Sequence, residues 1–187
     1  MNVSSRPTGT PFKAFMLLCC LAAVLAVTPA RASVVEIPAT ITGYAYRGCD
    51  DVGNSWYGKS NGYLQYGAFV GSHTAYKWNA FLKFSLDSLP DTCVLSSAEL
   101  GYYQYDHSNG LPEVNIKLIP DPVPLSAAEL FWEIESTRSL APYIDSPDGW
   151  VAWSFDSAAL ALFDSCSSAG WVSLAVHGEY FGDERIG

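Results

Sequence analysis

Two tryptophans and four tyrosines, Trp56, Tyr57, Tyr63, Tyr66, Tyr76 and Trp78, fall within one glycine-rich stretch, Gly48 to Asn79, that also holds Asp50, Asp51, Asn54, Asn61 and Gln65. A pyranose ring offers apolar C–H faces and a rim of hydroxyls, so a site for it needs flat aromatic surface beside amides or carboxylates. This stretch supplies both. Trp56 and Tyr57 stand between Gly53-Asn54-Ser55 and Gly58, which predicts a loop, where binding residues concentrate and a large ring has little core to join. Tyr103 and Tyr105, two apart in an alternating run, are expected to face outward together. The candidate sugar contacts are therefore Trp56, Tyr57, Tyr63, Tyr66, Trp78, Tyr103 and Tyr105. The competing reading is structural, because aromatic residues suit strands whatever the function.

Other chemistries have less to stand on. Asp50-Asp51 beside Asn54, and Asp145 with Asp148, could donate oxygen ligands to a structural Ca²⁺, but neither set has EF-hand spacing, and turn-forming aspartates are the commoner case. A glycosidase needs two carboxylates at a defined separation; Asp106, Glu113, Glu133 and Glu135 are candidates, with no pattern that singles them out. There is no H-E-x-x-H, and the expectation is a non-catalytic protein. Cys49, Cys93 and Cys166 form no C-x-x-C pair, and His73, His107 and His177 are equally scattered, so zinc-ligand spacing is absent. In an oxidising compartment three cysteines give one disulfide and one thiol with three possible pairings, of which Cys93 with Cys166 is preferred.

That compartment is read from the N-terminus. Arg6 and Lys13 precede an apolar run from Ala14 to Val27, closed by Pro29 and the small-x-small triplet Ala30-Arg31-Ala32. Residues 1–32 thus read as a secretory signal peptide cut before Ser33. The run falls short of the roughly 20 residues of a membrane span, and Cys19 and Cys20 lie inside it rather than after it, so no lipid anchor is expected. Cleavage leaves seven basic residues against nineteen acidic ones, a formal charge of −12. A surface so poor in Lys and Arg repels phosphate backbones and offers no basic patch to anionic lipid, which disfavours nucleic acid and membrane as partners.

The elements that must position these residues are strands. With 49% hydrophobic, 14% aromatic and 16% charged residues, the remaining 33–187 make one folded domain. Val34 to Tyr46 carries Val35, Ile37, Ala39, Ile41 and Gly43 on one face; short strands are expected at Tyr63–Tyr66 and Ala68–Val70. Ala80, Leu82, Phe84 and Leu86 then alternate with Phe81, Lys83 and Ser85, and Ala98, Leu100 and Tyr102 with Glu99, Gly101 and Tyr103. Val114-x-Ile116-x-Leu118, Val151-x-Trp153-x-Phe155 and Val172-x-Leu174-x-Val176 continue the period-two pattern. Ser126 with Glu129 has the spacing of a capping box ahead of a short helix to Glu135, and Asp156 or Ser157 can cap another. About eight such strands, without βαβ alternation or internal repeat, predict an all-β, jelly-roll-like antiparallel β-sandwich with short helical insertions. Its expected core includes Leu82, Phe84, Leu86, Ala98, Leu100, Val114, Ile116, Phe155, Val172 and Leu174.

The run Asn79-Ala80-Phe81-Leu82-Lys83-Phe84-Ser85-Leu86-Asp87-Ser88-Leu89-Pro90, followed by Val94-Leu95-Ser96-Ser97-Ala98-Glu99-Leu100, resembles the core of the DNRLRE-type family of secreted β-sandwich modules. Phe131-Trp132-Glu133, Trp153-Ser154-Phe155-Asp156-Ser157 and Gly170-Trp171-Val172-Ser173-Leu174 resemble its later segments in order. The resemblance runs from about Ile37 to Gly187. It implies a bacterial exported protein. Some members are similar to carbohydrate-binding modules attached to polysaccharide-degrading enzymes, and others sit in surface proteins without an assigned ligand. Family members usually continue with an S-R-E turn and a further strand, whereas this chain reads Asp183-Glu184-Arg185-Ile186-Gly187, so a final strand is expected to be lacking. The leading expectation is a module binding extracellular or cell-surface polysaccharide; a structural surface or matrix protein is the alternative, and a polysaccharide hydrolase or lyase the third.

Overall fold

The computed structural model describes residues 33–90, 93–104, 113–141 and 149–179, and its compact unit begins at Glu36. The described elements are β1 (Ala39–Asp50), β2 (Ser55–Asn61), β3 (Gly67–Val70), β4 (Thr74–Ser85), β5 (Glu99–Gln104), β6 (Glu113–Leu118), α1 (Ala127–Ser136), β7 (Ser139–Ala141), β8 (Gly149–Ser154), α2 (Ser157–Ser167) and β9 (Trp171–Glu179). Seven strands form one antiparallel sheet in the order β2-β1-β4-β9-β6-β7, with β3 also on β4; β5 and β8 pair as a second, two-stranded sheet. β3 and β9 divide one edge of β4, taking Ala75–Trp78 and Asn79–Ser85 respectively. Where they abut, a Cβ on Gly178 would stand 3.2 Å from the backbone of Gly67, a close approach that glycine accommodates without displacing the neighbouring strand. The chain is an all-β sandwich with short helical insertions.

The inner layer follows from the alternation. Ala80 and Leu82 of β4, Val172, Leu174 and Val176 of β9, and Val114 and Ile116 of β6 pack against Leu100, Tyr102, Val151 and Trp153 of the small sheet, and Phe163 of α2 joins them. Leu82, Leu100, Val114, Ile116, Val172 and Leu174 are buried as the pattern predicts; Phe84, Leu86, Ala98 and Phe155 are half-buried at the margin of the same cluster.

The second layer was not visible in the pattern. Phe81, which alternation assigns to the side away from the core, is only 2% exposed. It meets Ala45, Ala175 and Ile119 beneath Leu130, Phe131 and Ile134 of α1. Period two separates the two faces of a strand but does not say that the second is open. The helix starts where the capping box places it: the Ser126 side chain accepts from the Glu129 backbone N–H (3.3 Å) and Glu129 accepts from that of Ser126 (2.8 Å). Asp156 caps α2 by accepting from the Ala159 N–H.

Lysines fasten α1 and its leading loop to this outer face. Lys59 Nζ donates to the carbonyls of Pro122, Val123 and Leu125, and Lys83 pairs with Asp121 at 2.6 Å. Lys117 donates to the carbonyls of Ile134 and Glu135 at the helix C-terminus, where the last turn has no basic residue of its own and a cation complements the dipole. Lys77 reaches Glu135. All four lysines of residues 33–187 are thus committed to one packing face.

Three expectations are corrected. Trp56 and Tyr57, read as lying in a loop, belong to strand β2, which pairs with β1 from Gly43↔Asn61 to Cys49↔Ser55. Tyr63–Tyr66 forms no strand, while the one expected at Ala68–Val70 is present as β3. The Cys93–Cys166 bridge is not formed: Cys93 is an exposed thiol after Pro90, and Cys166 lies half-buried in α2 against the core. The expectation about a final strand falls on residues 180–187, outside the described ones.

Candidate functional site

On the inner face of the large sheet the packed cluster reaches Ala80 of β4 and goes no further along that strand. The next inward-facing positions are Trp78 and Tyr76, and with them begins a continuous run of aromatic rings. Tyr76 and Trp78 stack with centroids 5.5 Å apart and planes within 13°. Tyr46 lies 6.2 Å from Tyr76, Trp56 meets the edge of Tyr76 at 5.7 Å, Tyr44 lies 6.2 Å from Tyr46, and Tyr63 lies 5.3 Å from Tyr44. The hydroxyls of Tyr44 and Tyr63 share a hydrogen bond at 3.2 Å.

Register explains why these rings share a surface. Directly opposed residues of an antiparallel pair point to the same side. Trp56↔Gly48, Gly48↔Tyr76 and Phe69↔Tyr76 therefore make one row across β2, β1, β4 and β3. Gly58↔Tyr46, Tyr46↔Trp78 and Gly67↔Trp78 make the next row on the same face.

Both rows mix glycines with rings, and two of these glycines have a specific use. A Cβ on Gly48 would lie 2.3 Å from the Trp56 indole, and one on Gly58 2.2 Å from the Tyr46 ring. The two side chains fill the space left by the missing Cβ atoms and lie down against the sheet. Phe69 and Tyr63 are the most open members, 55% and 52% exposed; Tyr44, Tyr46, Trp56, Tyr76 and Trp78 are half-buried by one another. The eight positions of the two rows carry no formal charge.

The expected contacts divide accordingly. Trp56, Tyr63 and Trp78 belong to this aromatic face. Tyr57 points to the opposite side of the sheet, where it packs on Phe131 and accepts a hydrogen bond from Trp132 Nε1 at 3.0 Å. Tyr66 turns into the core margin against Tyr102. Tyr103 does face outward, 56% exposed, but on the small sheet, in edge contact with Trp150; Tyr105 lies outside the described residues. Tyr44, Tyr46 and Phe69 were missed. Tyr44 and Tyr46 occupy the even positions of β1, opposite to the apolar set that marks its other face, and that parity is the signal that could have found them.

The acidic candidates have other partners. Asp50 closes the β1–β2 turn by accepting from the Asn54 backbone and side-chain amides, each at 2.7 Å, and from the Val52 N–H. The Asn54 side-chain amide leads in holding its carboxyl below the usual range. Asp51 pairs with His73 at 2.9 Å. Both therefore have turn partners, and no cluster of three or more metal-ligating side chains occurs among the described residues.

Glu133 accepts from the Thr137 hydroxyl. Glu135 is the hub of a polar cluster under α1, accepting from Lys77 Nζ (2.8 Å) and Asn79 Nδ2 (2.7 Å) and lying 3.2 Å from His177 Nε2. Burial would push its carboxyl up, but His177, Lys77 and Asn79 outweigh it and bring it from 4.5 to about 2. Glu135 is thus held ionised, unsuited to donate a proton near neutrality. Asp106, Asp145 and Asp148 and the Glu113 side chain lie outside the described residues. A groove of about 420 Å³ lies between Ile41, Lys59, Asn61, Phe81, Pro122 and Val123, but its one ammonium is already bound to three carbonyls. No family model matches the chain, and no curated protein matches it.

Proposed function

We propose that the chain is a secreted, non-catalytic module that binds extracellular or cell-surface polysaccharide through the aromatic face of β2, β1, β4 and β3. The observation that supports this reading is the unbroken run of rings from Tyr63 to Trp78 on a sheet face beyond the packed core. Large apolar rings left partly in water forfeit burial energy, and a contiguous patch of them marks an interaction surface. Tyrosine hydroxyls beside the rings supply hydrogen-bonding groups for sugar hydroxyls. The signal-like N-terminus, the acidic charge and the resemblance to the DNRLRE-type modules point the same way. A non-catalytic role accords with Glu133 and Glu135 being engaged by structural partners.

Affinity electrophoresis of the full chain through gels containing a panel of polysaccharides tests this. At least one polysaccharide should retard the protein, and Tyr63→Ala with Phe69→Ala should weaken that retardation about tenfold or more while the melting temperature stays near wild type. Trp150→Ala, on the small sheet, should bind like wild type. Absence of retardation across the panel would favour a structural protein without a sugar ligand, and retention by the double variant would move the site elsewhere.

A further inference from the structure

Resting on that reading, we infer the class of ligand: one extended glycan chain of several sugar units, held at its two ends by Tyr63 and Phe69 at opposite corners of the aromatic face. Three observations carry this. The first is which rings are open. Of the rings described on this face, Tyr63 and Phe69 alone are more exposed than buried, 52% and 55%, and so offer a free ring face to a sugar. Each is also pinned. The Tyr63 hydroxyl shares a hydrogen bond with that of Tyr44 at 3.2 Å. Phe69 leans over the β3–β4 turn, where a Cβ on Gly71 would stand 3.2 Å from the edge of its ring. Rings already held in place lose little freedom on binding.

The second is their separation. Phe69 lies opposite Tyr76, which lies opposite Gly48 of β1, whereas Tyr63 packs on Tyr44 at 5.3 Å. From Tyr44 to Gly48 is four residues of strand, about 13 Å, and from Gly48 to Phe69 two inter-strand spacings, about 10 Å. The two open rings therefore mark the ends of a diagonal of about 16 Å. One sugar ring cannot touch both, whereas a chain of several units reaches from one to the other.

The third is the surface between them. Along the run Tyr63, Tyr44, Tyr46, Tyr76, successive ring planes differ by 48°, 39° and 53°. Tyr76 is then stacked on Trp78 and meets Trp56 at 73°. The intervening rings share no plane, and they cover one another with the faces a sugar would use. A rigid, flat array of neighbouring chains has nothing level to rest on here. A single chain rotates about its glycosidic bonds and follows the steps. Once one end is stacked, the other is held near the second ring, so two weak contacts act as one stronger site through effective concentration.

Titration calorimetry of the full chain with cello-, chito-, manno- and galacturono-oligosaccharides, each as disaccharide, tetrasaccharide and hexasaccharide, tests this. In at least one series the hexasaccharide should bind once per protein, about tenfold or more tighter than the disaccharide. Tyr63→Ala and Phe69→Ala should each bring the hexasaccharide down to the affinity of the disaccharide, in proteins that melt like wild type. Where either variant melts lower, radical footprinting of the wild type decides instead: the hexasaccharide should protect Tyr63 and Phe69 together, and the disaccharide at most one of them. No gain with length in any series, two hexasaccharides per protein, or capture by an insoluble polymer whose hexasaccharide does not bind would overturn this inference and leave a polysaccharide-binding module standing. Absence of binding to every glycan, oligosaccharide or polymer, would overturn both.

Discussion

Replacing Glu135 by alanine should destabilise the protein by about 3–5 kcal/mol, the cost of leaving buried charge without its partner. Its carboxylate is 18% exposed, and it faces Lys77 and His177, whose side chains are 10% and 5% exposed. Lys77 would lose its anion, and Asn79, fully buried, the acceptor for its amide. The consequence has a pH signature of definite sign. Because the folded-state value is depressed to about 2 from 4.5, the stabilisation is fully present above about pH 4.5 and is lost as pH falls from there towards 2. Urea denaturation of wild type across that window should show stability falling with acid. Glu135→Ala should be less stable at neutral pH and lack this part of the slope. Parallel wild-type and variant curves would show that the cluster contributes little.

Trp153→Ala should cost about 3–5 kcal/mol by emptying the centre of the inner layer. Trp153 is 1% exposed and lies where the small sheet meets β4, β6 and β9. Its Nε1 is buried and has no hydrogen-bond acceptor among the described residues, and that gives the comparison its second arm. Trp153→Phe removes an unsatisfied donor together with part of the ring, so it should cost much less than the alanine variant. Chemical denaturation of the pair decides the matter. Near-equal losses would mean that the indole N–H, not the ring, is what the site requires.

Legibility in the sequence followed contact range. Strands β4, β5, β6, β8 and β9 bury an alternating set against one layer, and α1 announces itself through Ser126 and Glu129 three residues apart; each is a local pattern. β2 was opaque because Gly58-Lys59-Ser60-Asn61 has neither apolar alternation nor strand preference. Its residues answer to distant partners instead: Gly58 makes room for Tyr46, and Lys59 reaches the carbonyls before α1. The same reason hid the site. Trp56 and Tyr57 are neighbours in sequence and lie on opposite faces, whereas Trp56, Tyr76 and Phe69 are far apart in sequence and share a row. Only the pairing register of β1 with β2 and β4, and of β3 with β4, brings that row together. Phe81 was misplaced because a helix distant in sequence covers it.

The central claim, that this particular face meets the polysaccharide, is tested most directly by hydroxyl-radical footprinting of the full chain with and without bound polysaccharide, read residue by residue by mass spectrometry. Tyr63 and Phe69, the open rings of the face, should become protected, with Trp56, Tyr76 and Trp78 following. Trp132 on α1 and Trp150 on the small sheet, 48% and 77% exposed elsewhere on the molecule, should oxidise as fast as in the free protein. Protection of Trp132 or Trp150 with Tyr63 and Phe69 unchanged would contradict the account.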